Sequence, residues 1–246
     1  MHPSRAVSSI SSMGVVLAAL PLVLGSLVTP TIVAPPAVAA PGQTALASPQ
    51  ALPTAQIDGV VWDQAVVGNT VYAVGEFKNA RPAGAAAGEN ESPRFNAMAY
   101  DITTGALLDW APKVGGKVNA VEASADGSTL YLGGNFLSVN DEAVYGVAAV
   151  DTAGRRKPLA ASATGEVMDL EVSPDGSTLY MSGAFTQINS AARRRAAALD
   201  LKTQKLTDFA PAVDDSIVRS ITVAADNSAV AIGGSFRSVG GSSNGY

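Results

Sequence analysis

The sequence contains no cysteine, and its only histidine is His2. No disulfide can form, so the fold must hold through burial and hydrogen bonding alone. Beyond the first residues the chain has neither thiol nor imidazole. That excludes the Ser-His-Asp and Cys-His nucleophile arrangements and the common zinc sites. Early charge is also missing: Arg5 is the only charged residue before Asp58. Across the whole chain, 16 Lys and Arg stand against 21 acids, a net charge of −5. A mildly acidic chain without basic blocks argues against a nucleic-acid partner. No stretch shows a sustained helical period, which points to strands.

The charge-poor start has its own logic. After Arg5 comes "GVVLAALPLVLGSLVTPTIVA", an apolar run broken by Pro21 and Pro30, then the small residues Ala37-Val38-Ala39. A basic start, an apolar core and an A-x-A exit describe a secretory signal peptide over 1–39, cleaved after Ala39. The rival reading is an uncleaved anchor over Val15–Val33, a stretch near the lower limit for a span. The prolines and the small-residue exit favour cleavage, and hence a secreted or surface protein with no membrane insertion afterwards. Residues 40–56, "APGQTALASPQALPTAQ", lack charge and aromatics and are expected to form a disordered linker.

From Ile57 onward the chain repeats itself. "LYLGGNFLSVN" (130–140), "LYMSGAFTQIN" (179–189) and "VAIGGSFRSVG" (230–240) are versions of one phrase. Self-alignment gives units at 57–117, 118–166, 167–216 and 217–246. Each opens with a strand and turns at Gly68-Asn69, Asp126-Gly127, Asp175-Gly176 or Asp226-Asn227. The quoted phrase is the second strand. A third strand ends in Asp101, Asp151 or Asp200, and a short turn leads to a fourth. "SPDGS" places Pro174 to open a turn and Gly176 where positive φ is needed. Four short antiparallel strands recurring at this interval predict an all-β chain, a β-propeller of about three and a half four-stranded blades. Phe77, Phe136, Phe185 and Phe236 are expected to fill between blades. The paired glycines are expected where neighbouring backbones approach, with Glu76 in place of the second glycine in unit one and Ser182 in place of the first in unit three. The last unit stops as its third strand would begin, so the sequence reads as the N-terminal part of a larger ring.

Laid out this way, "YLGGNFLSVN…YGVAAVDTAG" and "YMSGAFTQINSAARRRAAALD" resemble the secreted bacterial propellers built of delta-sixty repeats. "GEFKNARPAGAAAGENESPRFNAMAYDITTG" resembles the opening blade of actinobacterial members. The resemblance implies a secreted or surface-attached propeller and implies no known reaction. "AYDITTGALLDW" is also similar to the repeat of quinoprotein dehydrogenases, in which Asp, Thr-Gly and Trp lock adjacent blades. Only unit one carries that full string, and no cofactor-binding set accompanies it, so no cofactor and no metal are assigned.

A site is expected where the repeat becomes irregular. The interval from Phe77 to Asp101 exceeds the corresponding intervals in units two and three by a nine-residue insertion within "NARPAGAAAGENESPR". Function concentrates in such loops. Arg81, Glu89, Glu91, Arg94, Asp141, Glu142 and Arg194 are the ligand-binding candidates, and a solvated rim is the plain alternative. Of Arg193–Arg195, two are expected to point to solvent. Asp214-Asp215 is weak evidence for calcium. No catalytic residue is assigned. The main functional expectation is a non-catalytic module that binds an extracellular protein or a cell-wall glycan. The alternative is an extracellular enzyme, a quinone-dependent dehydrogenase or a carboxylate-based glycoside hydrolase. The latter needs no histidine, only two acids converging near a central channel.

Overall fold

The computed structural model describes residues 51–213 and 216–243. The expected signal peptide, most of the expected linker, and Asp214-Asp215 lie outside them. Among the described residues the protein is all-β, built of antiparallel sheets. No helix there is long and apolar enough to cross a membrane.

Four sheets follow the chain in order. The first joins Val60–Val67, Thr70–Glu76 and Ala97–Asp101, and its fourth strand is reduced to a single bridge, Tyr100 to Leu107. The second orders Val114–Ala123, Thr129–Val139, Val147–Asp151 and Arg156–Lys157. The third orders Val167–Val172, Thr178–Gly183, Ala196–Asp200 and Lys205–Leu206. The fourth holds Val218–Val223 and Val230–Gly234. Each sheet packs on the next, and among the described residues they do not close into a ring. Ordered pairing begins at Gln56, inside the expected linker: Gln56–Ile57 pairs with Ala80-Arg81, and Ala55 is buried.

The core lies between the sheets. Tyr72, Val74 and Trp110 meet Val118, Val121, Leu132 and Phe136 at the first junction. Tyr131, Val147 and Ala149 meet Val167, Leu170, Met181 and Phe185 at the second. Phe136 and Phe185 are buried between sheets as expected; Phe77 is buried instead within unit one, in a cluster with Ala55, Ala80 and Met98, and Phe236 is only half-buried. Each buried phenylalanine contributes roughly 1.5–3 kcal/mol through its area removed from water. Alanines on the third strands (Ala97, Ala99, Ala148, Ala196–Ala198) are buried as well, so small side chains permit close stacking.

The glycines bear out one expectation, close approach of neighbouring backbones, and correct another, the place of Glu76. In each first strand the register slips by one residue, at Trp62, Asn119, Met168 and Arg219. Gly75, Gly134, Gly183 and Gly234 sit across from these bulges. A Cβ on Gly134 would lie 2.2 Å from the Lys117 carbonyl oxygen, and one on Gly75 would lie 1.9 Å from that of Val60. The close approach at this second glycine is therefore within one sheet. The register also aligns Gly75 with Gly134, so unit one keeps the second glycine, and Val74 replaces the first; Glu76 corresponds to Asn135. In the second sheet the first glycine of the pair meets a neighbouring sheet, since a Cβ on Gly133 would lie 2.8 Å from Val167 Cγ1, whereas one on Gly233 would meet Ser220 of its own sheet. Ser182 fills that place in the third sheet, fully buried, with its hydroxyl unpartnered.

Candidate functional site

The segment between second and third strands is built alike in units one to three. The backbone N–H of Asn96, Gly146 and Arg195 donates to the carbonyl of Phe77, Phe136 and Phe185 at 3.0, 3.1 and 3.1 Å. In return, the N–H of Gly75, Gly134 and Gly183 donates to the carbonyl of Asn96, Gly146 and Arg195. All three of these residues have positive φ, near +70°. Two residues earlier, the N–H of Arg94, Val144 and Arg193 donates to Lys78, Leu137 and Thr186. The residue held between these bonds is Phe95, Tyr145 or Arg194. Each is exposed; Phe95 retains 42% and Tyr145 49% of its surface, unusual for aromatics.

Each of these residues lines a cleft. The first, of 590 Å³, is lined by Phe95 and Asn96 with Phe77, Lys78, Val114 and Lys117. The second, of 300 Å³, is lined by Tyr145 and Gly146 with Asn135, Phe136, Leu137 and Thr164. The third, of 340 Å³, is lined by Arg194, Arg195, Thr186, Gln187 and Ala192. Lys113 lies 6.0 Å from the Phe95 ring centroid, and Lys117 lies 5.9 Å from that of Trp62, which is 54% exposed.

At or just beyond the end of each second strand the chain forms a small hairpin where a loop was expected. Ser138–Val139 pairs with Glu142–Ala143, and Gln187–Ile188 with Ala191–Ala192. Their two-residue tips, Asn140-Asp141 and Asn189-Ser190, have positive φ throughout, as a type I′ turn requires. In unit one the insertion forms the tip of the corresponding pair, Asn79–Arg81 with Ser92–Pro93.

The structure divides the expected site residues among three hairpins. Arg81 donates to the Ala85 carbonyl and lies 4.0 Å from Glu91, which accepts from the Gly88 N–H. Glu89 is exposed at the same tip. Asp141 pairs with Lys113 at 2.5 Å, and Glu142 pairs with Arg156. Arg94 is half-buried and donates to the carbonyls of Pro93 and Leu108. Arg193 repeats this with Ala192 and Thr207, and Arg195 donates to the Ala184 carbonyl. Two of the three consecutive arginines thus brace backbone, and Arg194 alone is exposed. Of the expected set, Arg194 lines one of these three clefts. Phe95, Tyr145 and Trp62 were missed. One signal was available: Phe95, Tyr145 and Arg194 each stand six residues before the aspartate that ends a third strand.

The first strands carry a second group of interest. Asp63 Oδ2 accepts the Val121 N–H at 2.9 Å, and Asp169 Oδ2 accepts the Ile221 N–H at 2.8 Å. Asn119 Nδ2 donates to the Val167 carbonyl and to Glu166, which Lys117 approaches at 2.6 Å. Each sheet is thereby clasped to the next through its first strand. Glu122 accepts weakly from the Val172 N–H. Burial, reinforced by the charges of Glu171, Asp63 and Asp169, pushes its carboxyl up to about 7. Burial likewise raises Asp63, Asp169 and Glu171. No acid cluster among the described residues is arranged to hold a metal. Trp110 adds another link: its indole N–H donates to the Asp151 carbonyl at 3.0 Å while its ring meets Tyr72 edge-on. Of the string Asp101–Trp110, only Trp110 reaches the next sheet in this way, while Asp101, Thr103 and Thr104 bond within unit one.

Among known proteins, no family model matches the chain, and the search of curated proteins returned no match.

Proposed function

We propose that the chain is a secreted or cell-surface module of β-propeller type, with delta-sixty-like repeats, that binds glycan and catalyses no reaction. The observation that carries this reading is the recurring cleft, which presents an exposed aromatic at one register position in successive sheets. An exposed ring beside an amide suits a sugar: the ring faces its C–H surface, and the exposed Asn135 can meet its hydroxyls, whereas Asn96 and Thr164 already bond to the backbone of Phe77, Val114 and Gln187. The expected ligand set contributes less, because most of its members are engaged with backbone or with each other.

The test is a polysaccharide microarray probed with the full chain and with the double variant Phe95→Ala/Tyr145→Ala. The reading expects polysaccharide signals from the native protein that the folded double variant loses. Signals that persist in the variant would place binding elsewhere, and no signal from the native protein would refute the reading.

One observation favours the enzymatic alternative of a carboxylate-based hydrolase. Glu122, with its carboxyl near 7, stands among other first-strand acids. Against it, Asp63 and Asp169 are already engaged in clasping neighbouring strands. Hydrolysis of an array polymer, abolished by Glu122→Gln, would establish the enzyme.

A further inference from the structure

We infer that the ligand is a polysaccharide chain long enough to occupy the first two clefts at once; this rests on the glycan-binding reading. The two clefts belong to successive, directly packed sheets and are framed by the same backbone hydrogen bonds. Packed sheets lie about 10 Å apart, comparable to the length of a disaccharide unit. A chain running across the sheets can therefore meet Phe95 with one ring and Tyr145 with another further along. Both rings are held by backbone on either side, through Arg94 and Asn96 or Val144 and Gly146, so little freedom is lost on binding. The clefts also open to the surface instead of enclosing a small molecule: Leu137, which lines the second, is 64% exposed. An open row of this kind suits an extended polymer. Arg194, at the same position in the third sheet, offers a planar guanidinium where the row continues.

Two linked subsites make the second contact intramolecular, so affinity must depend on chain length. The test takes the polymer that gives the strongest microarray signal and measures its disaccharide and hexasaccharide by calorimetry against the full chain. The hexasaccharide is expected to bind about 100-fold more tightly than the disaccharide. Phe95→Ala and Tyr145→Ala should each remove most of that advantage, whereas Phe95→Tyr and Tyr145→Phe should retain it. Equal affinity for both lengths would overturn the inference. So would a hexasaccharide affinity that depends on only one of the two rings. Either result leaves glycan binding itself intact. Failure of the folded protein to bind any saccharide overturns the glycan-binding reading, and this inference with it.

Discussion

The two ends of the sheets are built on opposite principles. At one end, the turns from first to second and third to fourth strands repeat both backbone and side chains. Asp126 accepts from Ser124 and Ser128, and Asp175 does the same with Ser173 and Ser177. Asp101, Asp151 and Asp200 each accept from backbone N–H groups two to four residues on. At the other end the backbone repeats equally well, yet the outward residue changes from Phe95 to Tyr145 to Arg194. Side chains recur where they satisfy the backbone, and they diverge where the backbone satisfies itself and frees them to face solvent. The second end is where the proposed ligand would be read.

The largest expected effect lies in the backbone that both ends share. Gly134→Ala forces a Cβ against the Lys117 carbonyl, 2.2 Å away, and should cost about 3 kcal/mol in urea unfolding. An unchanged midpoint would mean that the bulge relaxes freely. Trp110→Phe loses the bond to the Asp151 carbonyl and should cost about 1 kcal/mol. At the turn end, Asp175→Ala removes the acceptor for Ser173 and Ser177 and should lower the urea midpoint without altering saccharide binding. A change in saccharide affinity in either variant would erase the distinction between the ends.

Another effect concerns pH. Glu122 is raised to about 7 because burial disfavours its charge. The folded state then binds this proton more tightly than the unfolded chain does. Its contribution to stability is fully present below the unfolded value and is lost as pH rises through about 7. Asp126 runs the other way: hydrogen bonds from Ser124 and Ser128 hold it at about 2, so its contribution is lost only in strong acid. Between these limits Tm should fall from pH 5 to pH 8, and Glu122→Gln should flatten the slope. A Tm that rises over that interval would contradict the buried placement of Glu122.

The strands and turns were legible because period-two runs and Asp-Gly pairs act locally. Gly127 and Gly176 have the positive φ that their turns suggested. Two of the hairpins were not legible, because Asn140-Asp141 and Asn189-Ser190 lack the glycine that normally announces such a turn; Gly240-Gly241, at the tip of the hairpin in the fourth unit, carries it. The glycine register was legible and misassigned, since "VGEF" set against "GGNF" already places Gly75 over Gly134; what the sequence hides is the bulge in the paired strand that requires this glycine. The site was the least legible part. In sequence Phe95 and Tyr145 look like core aromatics, and only the backbone bonds on either side expose them. Charged loop residues drew attention instead, but Arg94 and Arg193 turned out to brace outer-strand carbonyls.

The most direct measurement is hydrogen–deuterium exchange of the full chain with and without a saturating polysaccharide from the array. The account predicts added protection in 77–96 and 136–146, with none in the turns at 101–106, 124–128 and 173–177. Protection confined to the turns, or spread equally over both ends, would contradict it.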